Sequence, residues 1–289
     1  MVAGERELWT PVSGLRGYLW RSKRPVAALL LQHGFAEYAE RYVRQYGGLI
    51  PKLQAIGFDV YALDLAGHGD SAGRRGMVDV RQAVAQHTAA RRAIGSDQPL
   101  YLLGHSLGGL ITAASVVSSP SMVAGVVLTS PALLFKTSAS SRLTARILCR
   151  LTPGLPLVPA QPPDGLSAVA DQISALADDE RMYHGRVPAL TAWSAVEVSE
   201  TGWGRYRSWT TPTLIMHGDA DTYADPKGSA LFHGLISSSD KQWIDVPEGR
   251  HELLNDVGGD RDIRIILKWL SGRLGPQAYP YDPTVPASE

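Results

Sequence analysis

The chain has 289 residues with 28 Lys or Arg against 28 Asp or Glu, a formal net charge of zero, which suits one large domain or a core with a sizeable insert. With 19% charged and 44% hydrophobic residues, a packed core is expected and global disorder is not, and the missing basic surplus argues against nucleic acid as a partner. The single cysteine, Cys149, excludes an internal disulfide and a Cys-based zinc site, so a reducing, cytoplasmic setting is expected. Glu5, Arg6 and Glu7 precede any apolar run, so no signal peptide is visible, and the longest clean apolar run, 26–31, falls far short of the ~20 residues of a membrane helix.

In chain order, short β-rich apolar runs at 26–31, 58–63, 100–103 and 123–128 alternate with helix-length segments at 80–94 and 107–118. After an interruption, strands at 213–216 and 242–246 alternate with helices at 226–236 and 259–271. That rhythm predicts an α/β fold: a mostly parallel central sheet, buried on both faces and flanked by helices. Ile263, Ile266, Leu267 and Leu270 recur at helical spacing and give the last helix one apolar face.

The interruption, 131–206, reads as a cap or lid insert over the carboxyl edge of the sheet, dividing a core of 1–130 and 207–272, with a disordered tail at 273–289. Residues 131–163 carry four bases and no acid, 164–180 carry five acids and no base, and five prolines fall within 153–163. Within the insert, Arg142, Arg146 and Arg150 form a basic stripe beside Leu143, Ile147 and Leu151, with Leu148 widening the apolar side. A basic amphipathic helix of this kind is expected to touch a membrane surface, or else to pack its apolar side on the core.

Gly104-His105-Ser106-Leu107-Gly108 matches G-x-S-x-G, a weak signal alone. Here it lies between a predicted strand and a predicted helix, the setting in which a sharp turn exposes the serine hydroxyl. A serine needs a base, and in this type of fold the order is Ser, acid, His. Asp219, Asp221 and Asp225 follow one later strand and His251 follows the next, so all candidates sit past the carboxyl ends of strands, where such sheets form their crevice. Among the other histidines, His217 is expected to orient the acid loop, and His233 and His87 to lie on solvated surface helices. The turn at His33-Gly34-Phe35 supplies a second backbone donor, so the N–H groups of Phe35 and Leu107 are the expected oxyanion hole.

With these residues in place the chain resembles the monoacylglycerol lipase family of serine α/β-hydrolases. The resemblance rests on His33-Gly34-Phe35-Ala36-Glu37 followed by Arg41-Tyr42, and on Asp64-Leu65-Ala66-Gly67-His68-Gly69-Asp70-Ser71. It also rests on the elbow around Ser106 and a Gly-x-x-Asp loop that assigns the acid to Asp221, with His251 as the final member. Ala36 and Tyr38 stand where the family has Gly and His, and Ala66 where Arg is common, departures that bear on acyl and alcohol preference.

The resemblance implies a carboxylic ester hydrolase acting on monoacylglycerol through Ser106, His251 and Asp221, with no metal and no cofactor. Glu37, Arg41 and His184 are expected to bind free hydroxyls of the alcohol. Lysophospholipase, carboxylesterase and S33-type aminopeptidase activities are alternatives, as is a non-catalytic binding protein of the same fold.

Overall fold

The computed structural model describes residues 6–95, 97–159 and 162–274. Its strands are β1 (Arg6–Trp9), β2 (Gly17–Trp20), β3 (Ala27–Gln32), β4 (Phe58–Leu63), β5 (Leu100–His105), β6 (Gly125–Thr129), β7 (Pro156–Val158), β8 (Val187–Pro188), β9 (Thr213–Gly218) and β10 (Lys241–Val246). Its helices are α1 (Arg41–Arg44), α2 (Leu49–Ala55), α3 (Val80–Ile94), α4 (Leu107–Ser118), α5 (Ala139–Leu151), α6 (Ala170–Ala177), α7 (Ala189–Trp203), α8 (Pro226–Leu235) and α9 (Gly259–Ser271).

Every residue of β3, β5, β6 and β9 is buried, as their largely apolar sequences require. They form the centre of a sheet ordered β1-β2-β4-β3-β5-β6-β9-β10, in which β2 runs antiparallel to both its neighbours, β1 and β4, and the other pairs are parallel. This is the α/β-hydrolase fold. One face of the sheet packs on α3, α4, α7 and α8, the other on α2 and α9. Ile263, Ile266, Leu267 and Leu270 of α9 are buried as their spacing predicts, each contributing about 1.5–3 kcal/mol through burial.

The structure departs from the sequence expectations in several places. The edge pair β1–β2 was not anticipated, because β1 is mostly exposed and neither strand alternates strongly. Nor was α2, which carries Pro51 in its first turn, where a helix tolerates a missing N–H. His87 is not solvated: it is buried between α3 and α4 with Nδ1 2.9 Å from Ser115 Oγ, and burial, then Arg91, push its pKa down to about 3.

Parts of the segments expected as insert and tail pack into the core. Ala195 and Val198 of α7, and Tyr206 beyond it, lie in the same core cluster as α3 and α4. Arg273 lies 3.8 Å over the Trp269 ring and pairs with Asp240, and Leu274 packs against the core, so 273–274 extend the ordered end of α9. The remainder of the expected tail, 275–289, lies outside the described residues.

Candidate active site

The elbow joins β5 directly to α4, and Ser106 takes up the turn with φ 53° and ψ −120°. That conformation is unfavourable for a residue with a side chain, costing about 1–3 kcal/mol, and it is held from outside. The Ser106 N–H donates to Thr129 O at 3.1 Å, and the Ser106 carbonyl accepts from Leu110 at 3.2 Å and Ala132 at 3.0 Å. Gly108 lets α4 approach β3, since a Cβ there would lie 2.2 Å from the Gln32 carbonyl oxygen.

Three strand ends bring the chemistry together. Ser106 follows β5, Asp221 follows β9 and His251 follows β10. The Ser106 hydroxyl lies 2.8 Å from His251 Nε2, and His251 Nδ1–H donates to Asp221 Oδ2 at 2.7 Å. With its proton on Nδ1, the ring presents a lone pair to the serine. This arrangement can accept the hydroxyl proton as the oxygen attacks an electrophile.

Asp221 is fixed on all sides. Its Oδ1 accepts the N–H groups of Tyr223 at 2.7 Å and Ala224 at 3.0 Å, and His217 Nε2 lies 3.0 Å from Oδ2. His217 is held in turn by Ser229 Oγ, 2.7 Å from Nδ1, so it orients the acid as expected. Burial works against the Asp221 charge, but His251 and His217 hold its pKa well below the usual carboxylate range. Burial likewise works against a charged His251, and Asp221, with smaller contributions from Glu252 and Glu37, outweighs it and raises the pKa above the ordinary 6.5.

The competing acids have other partners. Asp219 is exposed and accepts the Glu248 N–H at 2.7 Å. Asp225 caps α8, accepting the Lys227 N–H at 3.0 Å, and pairs with Lys136.

The turn after β3 lies against the elbow: a Cβ on Gly34 would sit 3.1 Å from Ser106 Cβ. Leu65 N–H donates to His33 Nε2 at 3.0 Å, so the His33 proton is on Nδ1 and donates to the Gly34 carbonyl at 2.7 Å. Leu107 is the first residue of α4, so its N–H has no partner within the helix.

Glu37 and Arg41 are not hydroxyl-binding groups facing the crevice. Both are only 2% exposed and belong to a buried network beneath the turn. Glu37 accepts the Gly34 N–H at 2.6 Å, Arg41 Nη1–H at 2.8 Å, and the hydroxyls of Tyr42 at 3.0 Å and Tyr46 at 2.9 Å. Arg41 also makes a two-pronged pair with Glu252 at 3.0 and 3.1 Å. A buried ion pair contributes little net stability, but losing one partner leaves a costly unpaired charge. His184 is exposed, and its Nε2 lies 3.1 Å from the Asp179 carbonyl oxygen.

Sequence reasoning missed the second layer around the base. The Tyr223 ring stacks on His251 with centroids 5.1 Å apart and planes at 18°. His105 lies 5.0 Å from His251 on another side, and burial, then the His251 charge, lowers its pKa to about 4, so it remains neutral. His105 is inside the elbow motif and Tyr223 two residues after Asp221, so position relative to the motifs was the available signal.

The fold and this constellation define an α/β-hydrolase with a serine at the strand–helix elbow. A family model described as "Serine aminopeptidase, S33" matches residues 23–258. Monoacylglycerol lipase of Mycolicibacterium smegmatis is 29% identical over 274 residues, 93% of this chain and 92% of that protein. Monoglyceride lipase of Homo sapiens is 30% identical over 245 residues, 80% and 77% of the two chains. The crystal structure of a Paleococcus ferrophilus monoacylglycerol lipase superposes with a TM-score of 0.81 at 29% identity, covering 92% of this chain and 99% of that one. The chain belongs to the S33 serine hydrolase family, on its monoacylglycerol lipase branch, and is a carboxylic ester hydrolase.

Proposed function

We propose that this protein hydrolyses monoacylglycerols to fatty acid and glycerol, with Ser106 as nucleophile, His251 as general base and then acid, and Asp221 as its orienting carboxylate. The observation that carries this reading is the unbroken hydrogen-bonded path from the Ser106 hydroxyl through His251 to Asp221, at 2.8 and 2.7 Å. Ser106 Oγ adds to the ester carbonyl while His251 Nε2 takes its proton, and the alkoxide oxygen forms in reach of the Phe35 and Leu107 N–H groups. His251 returns the proton to the departing alcohol. Water then repeats the sequence on the acyl-enzyme and releases the acid.

A preference for single-chain esters is supported by the way the insert meets both rims of the crevice. The His251 N–H donates to Gly165 O at 3.3 Å, the Glu252 N–H to Leu166 O at 2.8 Å, and the Tyr223 hydroxyl to Pro162 O at 3.0 Å. On the opposite rim, the Tyr183 N–H donates to Ala36 O at 2.8 Å. A crevice bounded in this way accepts one acyl chain, favoured by about 0.8 kcal/mol per buried methylene, and obstructs a second and third. With mono-, di- and trioleoylglycerol in matched detergent, kcat/KM should be highest for the monoester and fall by at least tenfold for the triester. Comparable values for all three would overturn the proposal, and a strong preference for lysophosphatidylcholine would replace it with a lysophospholipase.

We also propose that α5 rests on anionic membrane surfaces. It has no buried residue, and Leu143, Ile147 and Leu151 are 58%, 47% and 75% exposed. Arg142 pairs with Glu200, whereas Arg146 and Arg150 have no ion-pair partner among the described residues, so the helix offers charge to head groups and leucine to acyl chains. Flotation with anionic vesicles at low salt should recover the protein with lipid, and Arg146→Glu with Arg150→Glu should abolish recovery. If the wild-type chain stays at the bottom of the gradient, the proposal fails.

A further inference from the structure

The turn at 34–38 is neither strand nor helix, and one of its residues is held in an unfavourable backbone conformation. Ala36 has φ 73°, a left-handed value that costs a residue with a Cβ about 1–2 kcal/mol. From the core side, the Glu37 carboxylate and the His33 ring fix the backbone at Gly34, and Asp64 Oδ1 accepts the Ala39 N–H at 2.8 Å. The stretch between them, which includes the Phe35 and Ala36 peptides, is held from the insert.

Residues 179–183 make that attachment through both backbone and side chains. The Tyr183 N–H donates to the carbonyl of the strained Ala36 at 2.8 Å. The Tyr183 ring meets the Phe35 ring edge-on at 5.8 Å, and His68 meets Phe35 on another side at 5.3 Å. Beneath it, the Tyr183 ring lies on Gly76 so closely that a Cβ there would be 2.3 Å from it. At the other end of the turn, the Tyr38 hydroxyl donates to Asp179 Oδ2 at 2.7 Å, and the Arg181 guanidinium lies 4.0 Å over the Tyr38 ring. Arg181 also pairs with Glu40 at 2.7 Å and Asp70 at 3.4 Å, and its carbonyl accepts from Arg75 Nη2 at 2.6 Å.

We propose that residues 179–183 are a strap that positions the oxyanion loop, and that Tyr183 and Tyr38 are positioning residues for ester hydrolysis. The proposal rests on the reading of the Phe35 N–H as an oxyanion donor. Two of the residues gripped by the strap, Ala36 and Tyr38, are among the three at which the chain departs from the monoacylglycerol lipase pattern it resembles. The segment is thereby divided in function: 179–183 is tied to the catalytic loop, whereas α5 has no fully buried residue and presents an exposed apolar face to the lipid surface. Without the strap, Ala36 relaxes toward an ordinary backbone conformation and moves the adjoining peptides. A donor displaced by about 1 Å costs on the order of a hundredfold in rate.

The test uses the full chain and a soluble short-chain p-nitrophenyl ester, with an alkyl trifluoromethyl ketone as probe of the oxyanion hole. The ketone accepts Ser106 Oγ at its carbonyl carbon and becomes a bound oxyanion, the serine proton passing to His251. Tyr183→Ala should lower kcat by about tenfold to a hundredfold with little change in KM, and should weaken the ketone by the same factor as kcat/KM. Tyr183→Phe keeps the ring and the backbone donor and should restore both. Arg181→Ala, at a half-buried position, supplies a second loss of the strap if Tyr183→Ala does not fold, and should move kcat and ketone affinity in the same direction. A side chain that merely lines the acyl path would raise KM for long esters and leave ketone affinity unchanged, which overturns the proposal. If Ser106→Ala is inactive while both strap variants match wild type, the strap alone is wrong; if Ser106→Ala is active, the underlying reading has failed.

Discussion

Replacing Ser106 by alanine should remove ester hydrolysis almost entirely, by about 10⁴ to 10⁶-fold, while leaving the melting temperature close to that of the wild type. The loss is large because the hydroxyl that lies 2.8 Å from the His251 lone pair is removed, and alanine offers no nucleophile in its place. Stability should barely change because the strain at φ 53° belongs to the backbone, and alanine carries the same Cβ. The hydrogen bonds that impose the elbow use the Ser106 N–H and C=O, which alanine retains. Labelling by a fluorophosphonate should disappear in parallel. Retention of a tenth of the activity would remove Ser106 from the mechanism.

The second large effect is expected at Asp221, and its measure is a contrast. Asp221→Asn should reduce kcat/KM by about 10³ to 10⁴-fold, whereas Asp219→Asn should stay within a few-fold of wild type. An asparagine at 221 keeps the shape but lacks the negative charge that steadies the imidazolium. If its NH₂ faces His251, it also favours the ring tautomer with the proton on Nε2, where it cannot accept from serine. The Asp219 carboxylate accepts the backbone N–H of Glu248, in the loop before His251, and is exposed. The reverse order of damage would show that Asp221 is not the orienting acid.

The pH profile supplies a second readout of the same pair. His251 must be neutral to act as a base, and Asp221 raises its pKa above 6.5, so kcat/KM should climb with pH through an inflection above that value. Asp221 itself stays ionised throughout that range because its pKa is held low. Removing the carboxylate leaves burial, which disfavours the charged ring, as the larger influence. The inflection for Asp221→Asn should therefore move to lower pH, and an unchanged inflection would assign the titration to another group.

Much of this molecule was determined by the sequence alone. Runs such as 58–63 and 213–216 contain little besides apolar residues, and only a strand covered on both faces satisfies such a run, so the parallel sheet followed from local pattern. The elbow and the Ser, Asp, His order were readable for the same reason: each lies just past a strand end, and parallel strands deliver their carboxyl ends to one edge. Periodicity could not separate the neighbouring aspartates, because two residues along a loop change the partner without changing any period; the resemblance pointed to Asp221, and in the folded chain it is Asp221 that meets the histidine. Only tertiary structure decided that Arg41, already within i,i+4 reach of Glu37, is buried against Glu252 as well, a contact across 211 residues that no local pattern shows. The same holds for α7, whose covered face is set by α3 and α4, and for Tyr183, whose role depends on reaching back to Ala36. Local sequence governs backbone periodicity and burial; which polar groups find each other is settled by chain segments far apart in sequence, through geometry that exists only once the sheet has formed.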